Sequence, residues 1–83
     1  MSESMRIDKF LKVSRLIKRR TVAKKACEDG NVFVNDYEVK PGNDVTIGDI
    51  IRIEYNESTV KVKVLDLKSH VKKEEVSDLI EYL

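Results

Sequence analysis

The spacing of apolar positions changes near residue 30. In MRIDKFLKVSRLI (5–17), Phe10, Leu11, Ser14 and the pair Leu16–Ile17 recur at three- and four-residue steps, which predicts one buried helical face. Asp8 stands where a helix cap belongs, and Lys9, Lys12 and Arg15 follow at three-residue steps on the opposite side. From about Arg19 to Asp29 the same period turns Val22, Ala23, Ala26 and Cys27 inward, with Arg20 and Lys24 pointing together four residues apart. Gly30 is a natural stop after this segment. Between Ser14 and Lys18 the pattern fits either a short turn separating two helices or the bend of one helix.

After Gly30 the period falls to two. Val32 and Val34 alternate, Asn35-Asp36 supplies a turn tolerant of left-handed backbone, and Tyr37 and Val39 resume the alternation. Pro41-Gly42-Asn43-Asp44 is a loop by composition, and Ile47-Gly48-Asp49 a second turn. IIRIEY (50–55) and TVKVKVLDL (59–67) predict strands joined at Asn56-Glu57-Ser58. Val60, Val62 and Val64 face one way and Lys61 and Lys63 the other. In the tail, Val76, Leu79, Ile80 and Leu83 fall at helical steps, which predicts a short helix that docks over a sheet edge or binds a partner. The pattern as a whole predicts an α+β fold: two N-terminal basic helices packed on a small, mostly antiparallel sheet, then a short C-terminal helix. The expected partition is a loose extension over 1–4, a domain over 5–68 and a helical tail over 69–83.

Composition narrows the classes. A chain of 83 residues supports one thin core; at this size roughly 60% of the unfolded surface is buried on folding. Its apolar runs are a few residues long, and MSESMRID has no apolar stretch behind its charge, so the expectation is a cytoplasmic protein with no membrane partner. One cysteine, Cys27, allows no internal disulfide and reads as a small apolar side chain in a helix. There is no Gly-rich phosphate loop, metal-ligand spacing, nucleophile elbow or acid–base pair, and His70 is the sole histidine. The expectation is a non-enzymatic monomer without metal or cofactor.

Charge changes the picture most. The formal net charge is +1, yet residues 1–25 hold nine Lys/Arg against two acids, and 26–83 hold seven against thirteen. RLIKRRTVAKK (15–25) alone carries six cations. Acids do not interleave with them as they do on a merely soluble helix, and crowded like charge costs a small domain stability. Arginine among the cations suits phosphate, whose oxygens match its planar fork. A nucleic acid that neutralises the cluster is the expected partner. An acidic lipid surface would want exposed apolar residues beside the cations, and here those belong to the core. The candidate contacts are Arg6, Lys9, Lys12, Arg15, Lys18, Arg19, Arg20 and Lys24, extended by Asn35 and Lys40. Phe10 and Phe33 are assigned to the core, so the surface is expected to read backbone and shape rather than stack bases.

Arg6-Ile7-Asp8, Lys18-Arg19-Arg20, Gly30 through Asn35, Lys40-Pro41 and Gly48-Asp49-Ile50 occur in an order that resembles the S-four-type RNA-binding domain. The likeness covers about residues 5–55 and implies the alpha-L RNA-binding fold. Many members carry Gly where Asp36 stands and a basic residue where Asn31 stands. The opening motif and the Lys-Arg-Arg triplet are similar to stand-alone bacterial members, the heat-shock protein fifteen type and still more the RqcP type. That resemblance implies binding to rRNA of the large ribosomal subunit and to peptidyl-tRNA on a stalled particle. It also implies support of a quality-control tailing factor that adds C-terminal alanines. A general RNA-binding accessory module, and a protein adaptor acting through the acidic tail, are the competing expectations.

Overall fold

The computed structural model describes residues 3–83, so of the expected 1–4 extension Met1 and Ser2 lie outside the described residues, and Glu3 and Ser4 are exposed without regular structure. Strand β1 (Met5–Arg6) pairs antiparallel with β4 (Asp44–Val45). Helix α1 (Ile7–Val13) starts directly after β1, and the Ile7 and Asp8 amides donate to the Asn43 and Pro41 carbonyls at 2.7 and 3.4 Å. Two of the helix's free N–H groups are thereby satisfied by the 41–43 loop. The helix therefore begins earlier than its spacing predicts: Arg6 is the cap residue, and Asp8 lies inside the first turn.

A turn, not a bend, separates α1 from α2 (Arg20–Glu28). Arg15 takes a left-handed backbone (φ 63°) in that turn, and the Ile17 amide returns to the Leu11 carbonyl at 3.1 Å. Helix α2 ends as its glycine predicts. Gly30 has φ 78°, and the Gly30 and Asn31 amides donate to the Cys27 and Ala26 carbonyls, a Schellman closure.

The sheet is antiparallel, in the order β3-β2-β5-β6-β7, from β2 (Val32–Val34), β3 (Tyr37–Glu38), β5 (Ile50–Glu54), β6 (Thr59–Val64) and β7 (Ile80–Tyr82). Val34 pairs with Tyr37, so the β2–β3 loop has two residues, Asn35 and Asp36, at φ 52° and 70°. Both central residues are left-handed, as a primed hairpin turn requires, and Asp accepts that geometry without glycine. On the face toward the helices, Val32, Val34, Ile51, Ile53, Val62 and Val64 bury against Ile7, Phe10, Leu11, Ile17, Ala23 and Cys27. Val22 does not join them and is 51% exposed. Phe33 faces outward, half-buried under Arg52, whose guanidinium carbon is 4.3 Å from its ring centroid; the core holds Phe10 only.

The tail departs most from expectation. Helical turns cover only Lys73–Asp78, as a 3-10 segment, and Ile80–Tyr82 forms β7 against β6 in place of a docking helix. The reason is the outer edge of β6, whose N–H and C=O groups would otherwise be unpaired beside buried Val62 and Val64. Leu79 and Ile80 are buried, and the Leu65 amide donates to the Leu79 carbonyl at 2.7 Å. Among the described residues no helix is long and apolar enough to cross a membrane.

If the tail is part of the core, Leu79→Ala costs about 2–5 kcal/mol in urea denaturation. Leu83→Ala, at a 63% exposed position, stays within about 0.5 kcal/mol. Equal effects of the two would detach the tail from the folded unit.

Candidate nucleic-acid interface

At the start of both helices two arginines converge on one buried carboxylate. Asp8 is 2% exposed. Arg6 donates to it through Nε (3.2 Å) and a terminal nitrogen (3.1 Å), Arg20 reaches it at 3.4 Å, and the Lys9 amide adds a bond of 2.8 Å. Burial pushes the Asp8 carboxyl up; the Arg20 and Arg6 hydrogen bonds, Arg20's charge and the Lys9 amide outweigh it and leave the group below its ordinary value of 3.8. Each arginine keeps about half its side-chain surface in solvent, so both remain able to present nitrogens outward. One anion serves two cations, and the pair carries a net positive charge. In the sequence Arg20 reads as a pure phosphate contact; its bond to Asp8, twelve residues away, arises from the packing of α1 on α2.

Lys12, Arg15 and Lys18 meet elsewhere. They line one side of a cleft of about 360 Å³ whose other wall is Lys73, from the 3-10 segment. Lys9 lies between Arg6 and Lys12 along the chain, with Nζ 3.4 Å from Ser69 Oγ. Arg19 and Lys24 are exposed at the start and on the outer side of α2. Among the described residues none of Lys9, Lys12, Arg15, Lys18, Arg19, Lys24 or Lys73 forms an ion pair.

Most cations elsewhere have acidic neighbours. Lys25 pairs with Asp29 at 3.1 Å, Arg52 with Asp36 and Glu54 at 3.4 and 3.5 Å, and Lys63 stands opposite Glu81 across β6 and β7. The outer sheet face is thus mixed, with Lys61 opposite Arg52 and Lys63 opposite Glu81, and most of the unpaired cations belong to the helices, their turn and the tail.

Two predicted contacts come from outside the helices and their turn. Asn35 donates from its amide nitrogen to Asp49 (3.0 Å) and accepts from the Ile50 amide (3.0 Å), so its side chain ties the hairpin to the 46–50 turn. Lys40 precedes the loop under α1, and its exposed amine lies 4.0 Å from Glu38. Lys73 is absent from the sequence-derived set; the doublet Lys72-Lys73 was its signal, but only the tail's path brings it to Arg15. His70 is exposed beside the same turn, lining an adjoining depression with Lys12 and Arg15. Burial, with Asp8 and Glu28 nearby, pushes the Cys27 thiol up to about 11, so it stays protonated and unreactive. No group of three or more His, Cys, Asp or Glu side chains that could hold a metal occurs among the described residues.

A small α+β domain with a mixed sheet face and a series of unpaired cations along its helices and their turn has the charge distribution of a polyanion-binding module. Comparison with known proteins agrees. The S4 domain model matches residues 5–51. The chain is 51% identical over 77 residues to the RQC P-site tRNA stabilizing factor of Halalkalibacterium halodurans, covering 93% of this chain and 88% of that one. It is 46% identical over 79 residues to the factor of the same name from Listeria innocua, covering 95% and 86%. In structure it is similar to trimeric Vibrio cholerae Heat Shock Protein 15, with a TM-score of 0.89 at 26% identity over 98% of this chain and 83% of the other. The chain belongs to the S4 domain family.

Asp8→Asn removes the charge that holds both arginines and is expected to lower stability by about 1.5–3 kcal/mol at neutral pH. Because the folded carboxyl lies below its unfolded value, the wild-type advantage is full above that value and is lost as pH falls through the folded one. Denaturation of both proteins over a series of pH values falling from neutral checks this; a gap that does not narrow as the pH falls contradicts it.

Proposed function

We infer that the chain is a non-enzymatic RNA-binding factor of ribosome-associated quality control. It acts in the cytoplasm and docks its helical cations on rRNA and on the tRNA of a stalled large ribosomal subunit. The observation that carries the reading is the set of unpaired cations on α1, the following turn and α2, against a sheet face where acids and bases are mixed. Uncompensated charge of this density is neutralised when phosphates release their counterions on binding. The two arginines on Asp8 supply planar donors already oriented, so little side-chain freedom is lost when a phosphate arrives. By this reading the protein does no chemistry: it holds the tRNA while a tailing factor extends the stalled chain with alanine. The relatives near half identity carry the tRNA-stabilizing name, which favours this role over that of the heat-shock type.

With roughly five phosphates neutralised, log K against log salt has a slope near −3.5 to −4.5. Filter binding to a tRNA transcript over a KCl series measures it, and a flat line removes the electrostatic basis. The double variant Lys18→Gln/Arg19→Gln, at two exposed and unpaired positions, is expected to make the slope shallower by about 1.4 to 1.8. Its melting temperature stays unchanged; a large drop would make these cations structural instead.

A further inference from the structure

We propose that the C-terminal tail forms the second wall of the RNA site, with Lys73 closing a phosphate-binding cleft against Lys12, Arg15 and Lys18. The proposal rests on the RNA-binding reading and adds to it a contact outside the region matched by the S4 domain model, which ends at residue 51.

The tail reaches this place for reasons that lie in the fold. After β6 the chain crosses over α1, where Ser69 meets Lys9 at 3.4 Å and Val71 packs against the core edge. It must then come back to pair β7 with β6, which pins Leu79 and Ile80. Between these two anchors lies the 3-10 segment, whose entry is closed by the Lys72 amide donating to Glu75 at 3.0 Å and the Glu75 amide donating to the Lys72 carbonyl at 2.9 Å. Lys73 is thus held at the rim of the cleft and not on a free end. Although Glu74, Glu75 and Asp78 neighbour it in sequence, none of them pairs with it or with the other cleft cations.

The lining selects the ligand. All four side chains around the cleft are cationic. A groove for a protein partner would present an aromatic or aliphatic anchor at its centre, and none of the four lining residues is one. Cations from two separate segments, facing each other across a gap, suit a strand of phosphates passing between them. RNA held in this way is gripped from the turn on one side and from the tail on the other.

The test uses the full chain, a tRNA transcript and filter binding over a KCl series, with Lys73→Gln, Arg15→Gln and Lys63→Gln as variants. Lys73→Gln and Arg15→Gln are each expected to flatten the salt slope by about 0.7 to 0.9. Lys63→Gln, on the outer sheet face, leaves it unchanged, and thermal melts of all three match the wild type. If Arg15→Gln flattens the slope while Lys73→Gln retains the wild-type value, the tail lies outside the footprint. The inference then falls and the RNA-binding reading stands. If wild-type binding itself ignores salt, both fall. An acidic polypeptide of equal charge that displaced the RNA at the same concentration would make the cleft a protein-docking site and overturn the assignment.

Discussion

A carboxylate buried at the junction of β1, α1 and α2 must be paired, and here its partners are Arg6 and Arg20. An unpaired buried charge costs several kcal/mol, more than a domain of this size can spare. The first turn of α2 is therefore held against the first turn of α1, with Arg6 and Arg20 side by side on the one carboxylate. The same bond lets two arginines sit close together, since the anion between them offsets their mutual repulsion. Had an apolar residue stood at position 8, the arginines would separate and the surface would lose its fixed donors.

The rest of the charge distribution follows from which elements face each other. On the sheet, Lys63 stands opposite Glu81, which favours pairing of those strands, while Arg52, opposite Lys61, turns to Asp36 and Glu54. Between the helices no such matching occurs: the turn from Ser14 to Arg19 carries Arg15 in a left-handed conformation with Lys18 and Arg19 exposed beside it. Local repulsion there is a stability cost that a bound polyanion removes. The tail adds to it by bringing Lys73 to the same cleft.

The helical face of α1, the glycine closure of α2 and the alternating strands were legible because each depends on neighbours a few residues away. Val22 was misread because spacing alone does not set how wide the buried stripe of a short helix is; here Ala23 and Cys27 fill it. Phe33 was misread because a strand's outer face also shelters an aromatic ring when an arginine from the next strand, Arg52, lies over it. In the tail, Val76, Leu79 and Ile80 satisfy a helical period and equally a 3-10 turn followed by a strand. The open edge of β6 decided between them, and that edge is not visible in local spacing. Asn35 and Lys73 show the same limit at the site. The amide of Asn35 bonds Asp49 and Ile50 across the fold, and Lys73 gains its place from the path of 65–72 over α1.

Lysine footprinting by acetylation, read by mass spectrometry with and without a saturating tRNA transcript, tests the central claim most directly. The account predicts that Lys12, Lys18 and Lys24 become protected on RNA binding while Lys61 and Lys63, on the outer sheet face, keep their reactivity. Protection of Lys61 and Lys63 with the helical lysines left reactive would put the RNA on the opposite side of the molecule and contradict it.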